Sequence, residues 1–417
     1  VSLLTRIGRR LGLSRQGDAG VATSAELALL LSQGAMTRSG VPLSPMTALG
    51  VATVLACVRV IAEGLGALPC RLNRRTASGS EPVADHPAAW LLDAPNDWMT
   101  WQELVETLTL HAALAGNGFG LVQRGVQGQP IAILPLQPGW VAWRQQADWT
   151  VRYRITWPDG RQQDVGFEDM LHLRGPSWDS VGGREVVKFA REAIGLAAAM
   201  EWVQAQHFGK GGQPSGYLTT DRPSVTEPQA EEWKKRWARM YGGESAGGVA
   251  VLANGAKFVP LTFDFVSAQT LEARRMQVEE ICRAFRVFPQ MIGAQEKAST
   301  YASVESFFTA HAVHTLGPWA KRWEQTRARD LLTPRQRTTM FFAIDMRALM
   351  RADAKSRSEF YARALGAGGT AAWMTPNEVR EGEGLNRLPG LDEVPAPATA
   401  PDTPPGDPAP ADSAPAA

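Results

Sequence analysis

Three stretches of this 417-residue sequence carry side chains whose types and spacing could do chemistry. In Trp233-Lys234-Lys235-Arg236-Trp237-Ala238-Arg239, cations are interleaved with aromatics, a mixture that can neutralise phosphate and stack on bases. On a helix, however, Trp233, Trp237 and Met240 share one face at i, i+4 and i+7. That makes them core candidates and leaves Lys234, Lys235, Arg236 and Arg239 as an exposed basic surface. The second stretch is 269–286, where Leu271, Val278, Ile281, Cys282 and Phe285 form an apolar stripe. Beside it Glu272, Arg275, Glu279, Arg283 and Arg286 recur at three- and four-residue steps. This permits Arg275–Glu279 and Glu279–Arg283 pairs on a solvated face. The third is the polar stretch 288–302, with Gln290, Gln295, Glu296, Lys297, Ser299 and Thr300; taken alone it is a surface loop bearing an exposed lysine.

Patterns for bond-making chemistry are missing. No GxxxxGK[ST] phosphate loop and no HExxH occurs, which excludes a P-loop motor and a zincin-type metal site. His311 and His314 stand three apart on a predicted helix, as metal ligands can, but no carboxylate-rich partner helix accompanies them. They are taken as structural, and no metal or cofactor is expected. The glycine pairs at 182–183, 211–212, 242–243 and 247–248 suit turns, and Asp85-His86-Pro87 suits a helix start. Ser215 in Pro-Ser-Gly lacks the setting of a nucleophile elbow.

Charge narrows the partners. With 43 basic and 42 acidic side chains the formal net charge is +1. Tight static binding to DNA draws on concentrated phosphate neutralisation and counterion release, and this balance argues against it. It does not argue against a passage in which DNA slides. Cys57, Cys70 and Cys282 are odd in number and unpatterned, which predicts neither a disulfide framework nor a zinc ribbon and fits a reducing cytoplasm. No run approaches the roughly 20 apolar residues of a membrane span, so no membrane partner is expected. Val1 to Arg15 is basic and amphipathic without a continuous apolar region, and predicts a flexible arm rather than a signal peptide.

The elements that must position these groups follow from periodicity. Helical spacing of apolar residues marks Val51 to Leu68, stopped by Pro69. Residues 70–73 open a strand, 74–82 read as a polar turn, and Pro87 to Leu92 as a second helix. Thr100-x-x-Glu103 is a capping-box spacing for a third helix reaching about Leu114, broken by Gly116-Asn117-Gly118. From Phe119 to Leu173 the period falls to two, with turns such as Pro158-Asp159-Gly160, predicting antiparallel sheet. Helices are predicted over Arg184–Phe208, Glu227–Tyr241, Gln269–Phe285, Tyr301–Leu332 with Pro318 as a kink, Arg351–Leu365, and from Pro376 to Gly382. Strands are predicted at Tyr217–Thr219, Val249–Leu252, Phe258–Leu261 and Met340–Ile344. From Pro395 onward almost nothing could be buried, and disorder is expected.

Several of these phrases, in order, resemble the portal proteins of long-tailed double-stranded-DNA phages and gene transfer agents. They are Ala56-Cys57-Val58-Arg59-Val60-Ile61-Ala62 leading to Leu68-Pro69, Asp85-His86-Pro87 with Leu91-Leu92-Asp93-Ala94-Pro95-Asn96, and Gly116-Asn117-Gly118-Phe119. Leu134-Pro135-Leu136, Met170-Leu171-His172-Leu173-Arg174, Gly211-Gly212-Gln213-Pro214-Ser215-Gly216 and Arg283-Ala284-Phe285-Arg286-Val287-Phe288-Pro289 follow. Leu316-Gly317-Pro318-Trp319 and Asn377-Glu378-Val379-Arg380 complete the series, so the resemblance spans about Ala48 to Leu391. Each phrase is weak alone; order and spacing give the specificity. Two places depart from the family: Phe288 stands where Val-Pro-Pro is usual, and Pro176-Ser177-Trp178-Asp179 runs differently before Gly182-Gly183.

The resemblance implies an α+β portal fold: a wing of mixed helices and antiparallel sheet, a helical stem, a small α/β clip and a helical crown. Laid on this sequence, it divides the chain into an arm (1–45), wing (46–183), first stem helix (184–209), clip (210–268) and second stem helix (269–286). A tunnel loop (287–302), a returning wing helix and strand (303–350), a crown (351–394) and a Pro/Ala-rich tail (395–417) follow. It further implies a homo-oligomeric ring of about twelve copies at one capsid vertex, assembled in the host cytoplasm and carried in the virion. Double-stranded DNA would pass through the channel, and the terminase large subunit, a head–tail adaptor and the major capsid protein would be partners. Gln295, Lys297, Ser299 and Thr300 would face DNA. Glu272, Arg275, Glu279, Arg283 and Arg286 would join subunits or line the channel, and Lys234, Lys235, Arg236 and Arg239 would meet terminase or adaptor. The family has no catalytic residues. Two alternatives stay open: another structural virion protein, such as a minor head or baseplate component, and a DNA-processing enzyme, which would need a clustered metal site.

Overall fold

The structure is a computed structural model and describes residues 35–77, 79–209, 215–219, 226–241, 257–261, 268–294, 301–346, 348, 354–367 and 371–395. The predicted arm up to residue 34, the strand predicted at Val249–Leu252 and the tail from 396 lie outside the described residues. Two compact units divide at Asp345/Met346.

The first unit opens with a small ladder of β1 (Ala35–Met36) and β2 (Pro42–Leu43), then α1 (Ala52–Gly66), β3 (Cys70–Thr76) and β4 (Gly79–Pro82). The segment expected to be a polar turn is therefore a hairpin, with Arg74 opposite Glu81 and Arg75 opposite Ser80. Its side chains are exposed, so no apolar alternation announces it. After α2 (Trp101–Ala115) come β5 (Asn117–Arg124), β6 (Pro130–Leu136), β7 (Val141–Gln145), β8 (Val151–Thr156), β9 (Gln162–Gly166) and β10 (Met170–Arg174). They form two antiparallel three-stranded sheets, ordered β10-β5-β6 and β7-β8-β9. Then follow α3 (Arg191–Gly209), β11 (Ser215–Thr219), α4 (Glu227–Tyr241), β12 (Lys257–Leu261) and α5 (Ala268–Phe285). The predicted helix from Arg184 is in fact a single turn at Val186–Phe189, interrupted at Ala190 before α3 begins. The unit closes with α6 (Tyr301–His311), a π-helical turn (Ala312–Leu316), α7 (Gly317–Leu331) and β13 (Met340–Ile344).

Local chemistry explains the central helices. Val54, Cys57, Val58, Ile61, Ala62 and Leu65 make the buried face of α1, and Trp101, Leu104, Val105, Leu108 and Ala112 that of α2. The two helices pack together, and each large aliphatic residue taken fully from water contributes roughly 1.5–3 kcal/mol. Thr100 and Glu103 form the predicted capping box at the start of α2. Gly116 ends it with φ 79°; a Cβ there would sit 2.5 Å from the Arg184 carbonyl carbon. Glycine is required on both counts.

Long-range pairing closes the unit. β13 returns to pair antiparallel with β3, Phe342 opposite Leu72 and Ile344 opposite Cys70, giving the sheet β13-β3-β4. α7 packs against both β10 and β13, with Trp323 wholly buried and its indole N–H donating to Thr109 Oγ1 at 2.9 Å. The expected kink at Pro318 is a π-helical turn just upstream. It leaves Pro318 in the first turn of α7, where a missing N–H is tolerated. In the second unit α8 (Ala354–Ala364) and α9 (Pro376–Gly382) are joined by a short segment. Thr375 and Glu378 form a capping box on α9.

Candidate functional site

The charged helix α5 has two different faces. Ile281, Cys282 and Phe285 are buried, and the helix packs on α1 and α3. Leu271, expected in that apolar stripe, is 58% exposed instead; the buried residues of α5 lie in its C-terminal half. Arg283 Nη2 donates to Glu279 Oε2 at 2.7 Å, one turn apart, as the spacing predicts. Among the described residues Arg275 does not pair with Glu279, and Glu272 and Arg275 are both exposed. The cross-helix bond comes from Arg274, whose Nη1 donates to Gln204 Oε1 at 2.6 Å and whose Nη2 lies 3.6 Å from Glu201 of α3. Sequence spacing along α5 could not single out Arg274, because its partners belong to another helix. Arg286, expected as the last helical charge, lies beyond the end of α5 with φ 57°.

The remaining expected groups divide by position. Gln295, Lys297, Ser299 and Thr300 lie outside the described residues. Leading to them, Pro289–Ile292 forms a 3-10 turn and Gly293 a left-handed cap. Lys234, Lys235, Arg236 and Arg239 all fall on α4. Lys235 is exposed and Trp233 half-buried, while the side chains of the other three are outside the described set. His311 is buried, which lowers its pKa, whereas His314 is exposed. Among the described residues no group of three or more His, Cys, Asp or Glu could hold a metal ion.

Three buried polar arrangements escaped sequence reasoning. In the first, His172 of β10 is held through all its polar atoms. Its Nε2 lies 2.9 Å from Asn117 Oδ1 and its Nδ1 3.0 Å from the Tyr153 hydroxyl. Asn117 Oδ1 also accepts from Gly183 N at 2.7 Å, so it acts as an acceptor, and Nε2 of His172 carries the proton. Its backbone N–H donates to Asp330 Oδ2, and its carbonyl accepts from Arg329 Nη2. Arg329 in turn clasps Asp330 through Nε and Nη2. Burial, reinforced by Arg174 and Arg329, lowers the His172 pKa well below its usual range, and burial raises that of Asp330. Being internally bonded, this network locks β5, β8, β10 and α7 together.

In the second, the fully buried guanidinium of Arg327 stacks between Trp101 and Trp323, 4.4 and 4.7 Å from their centroids, and donates to Cys70 Sγ at 2.7 Å. In the third, Cys57 of α1 and Cys282 of α5 are free thiols with sulfurs 3.8 Å apart. The nearby Cys282 sulfur and burial push the Cys57 thiol upward. No sequence motif connects positions 225 residues apart.

The fold and its polar groups define a structural scaffold: buried charges serve to join elements, and exposed charges decorate helices that leave apolar side chains uncovered. The chain belongs to the phage portal protein family, whose model matches residues 52–384. It is 28% identical over 349 residues to the portal protein of Enterobacteria phage HK97, covering 82% of this chain and 81% of that one. Over 378 residues it is 29% identical to the probable portal protein of Streptomyces phage phiC31, covering 86% and 80%. Among solved structures, a chain from the neck of an empty gene transfer agent particle matches with TM-score 0.57 at 23% identity, over 88% of this chain and all of that one. An HK97-family phage portal protein from Corynebacterium diphtheriae matches with TM-score 0.55 at 14% identity, over 77% and 99%. The protein is thus a portal subunit with the α+β fold expected.

Proposed function

We propose that copies of this chain close into a ring at one capsid vertex and form the channel for packaging and ejection of double-stranded DNA. The observation that carries this reading is the set of apolar side chains a single chain leaves open on its two long charged helices. Trp202 of α3 is 64% exposed and Met276 of α5 also 64%, with Leu196, Val203 and Leu271 exposed beside them. Such a surface on helices that already pack together calls for a further partner, and a repeated identical partner closes into a ring. Gene transfer agent necks of C6 and C12 symmetry supply structural neighbours of this fold.

In this reading 46–183 and 303–350 are the wing, 184–209 and 269–286 the stem, 210–268 the clip and 351–394 the crown. The clip's basic residues Lys234, Lys235, Arg236 and Arg239 dock the terminase large subunit and later the head–tail adaptor, and the wing meets the major capsid protein. Residues 287–302 face the duplex, with Lys297 its phosphate contact. The ring assembles in the host cytoplasm and stays in the virion. Its work is mechanical and electrostatic rather than enzymatic: the near balance of 43 basic and 42 acidic residues limits phosphate capture, because each fixed cation on the path holds the duplex back. Particles carrying Lys297→Ala test the loop. Reduced retention of packaged DNA with intact rings is expected; full retention contradicts the loop's role.

A further inference from the structure

Where α5 gives way to the chain leading to 295–300, an unusual set of features meets. Arg286 holds a left-handed backbone that long side chains seldom adopt, and its carbonyl accepts from Thr315 Oγ1 at 2.6 Å. Thr315 belongs to the π-helical turn Ala312–Leu316, a rare geometry that gathers at functional sites, and the same turn presents His314 outward. Two residues beyond Ala320, Arg322 of α7 lies over the Trp319 ring at 5.1 Å. Arg286, His314 and Arg322 line one cavity of about 90 Å³, whose other walls include Ile61, Phe285 and Trp319 and no carboxylate.

Among the described residues neither the Arg286 nor the Arg322 guanidinium has a hydrogen-bond or ion-pair partner. Arg322 is half-buried, and burial together with the Arg286 charge disfavours its cationic form. Arg286 is exposed and Arg322 half-buried where they line the cavity; two forked cations so placed repel each other, and an oxyanion between them relieves both and accepts their N–H groups. The space has room for a small tetrahedral oxyanion between the two side chains.

We propose that this cavity is a phosphate site in which Arg286 and Arg322 grip one phosphoryl group and His314 stands at its rim. The phosphoryl group comes either from free phosphate or from the backbone of the duplex; the second source rests on the channel reading above. The test is the melting temperature of the full-length protein, measured as inorganic phosphate replaces chloride at constant ionic strength. A saturable rise is expected. Arg286→Asn, which tolerates the left-handed backbone, combined with Arg322→Gln should raise half-saturating phosphate about tenfold or more. Arg322→Lys keeps charge and stem but loses the fork, and should raise it by a smaller factor.

A short duplex that competes with phosphate assigns the site to DNA. Phosphate binding without competition assigns it to the free ion and leaves the channel reading standing. The proposal fails if the wild-type protein shows no saturable response, or if Arg322→Lys and the double variant respond as it does. It also fails if the response of the separate chain vanishes on assembly because a neighbouring copy's carboxylate fills the cavity.

Discussion

Asp330 shows how a charge can serve structure at the level of a single residue. It is 4% exposed, bonded to Arg329 and to the backbone N–H of His172. Its partner Arg329 is about a third exposed and also bonded to the His172 carbonyl, so Asp330→Ala, which chiefly strands the buried His172 N–H, should lower unfolding stability by about 1–3 kcal/mol, read from urea denaturation. A loss under 1 kcal/mol, the range of a surface pair, would mean that the network is solvent-relaxed. Histidine gives a second prediction. Burial lowers His111 to about 4 and depresses His172 and His311 as well. The unfolded chain therefore takes up protons before the folded one as pH falls. Stability conferred by the neutral rings is complete above pH 6.5 and declines below it, for His111 down to about pH 4. Each coupled proton contributes a slope of about 1.4 kcal/mol per pH unit. Thermal melts from pH 7 to pH 5 should show the decline, and His111→Phe should flatten it; a flat wild-type profile would count against neutral burial.

At the scale of elements, local signals carried far. Thr100-x-x-Glu103 was legible because a cap involves residues three apart, and the Glu279–Arg283 pair because one helical turn brings it together. The β3–β4 hairpin was hidden because its exposed polar residues show no alternation. The break at Ala190, the π-helical turn before Pro318 and the return of β13 to β3 depend on what packs against them. The phosphate cavity was hidden for the same reason: Arg286 and Arg322 stand far apart in sequence, and only the α5 terminus and α7 bring them to one space. Element packing also supports two measurements. Gly116→Ala places a Cβ at φ 79° and 2.5 Å from backbone, so it should cost more than about 1 kcal/mol; an unchanged urea midpoint would refute the close approach. Cys57 and Cys282, 3.8 Å apart, should be cross-linked by a small-molecule oxidant such as diamide. Both thiols are buried, so the reaction is slow and favoured at alkaline pH; peptide mapping should then find the 57–282 link, and a link of either residue to Cys70 in its place would contradict their adjacency.

At the scale of the whole molecule, the uncovered apolar residues of α3 and α5 offer surface for a further copy, and the near-balanced charge of the sequence offers little net attraction to phosphate. Sequence order alone suggested two long helices bracketing a strand–helix–strand unit, and α3, β11, α4, β12 and α5 follow that order. What lay beyond reach was which helix faces remain open, since that is known only once α5 has packed against α1 and α3. The most direct measurement is single-particle imaging of the purified full-length protein. A closed ring with an axial opening wide enough for a duplex, and with Trp202 and Met276 buried between adjacent copies, is the predicted result. A protein that stays a single chain at every concentration, and in assembled particles too, would contradict the account.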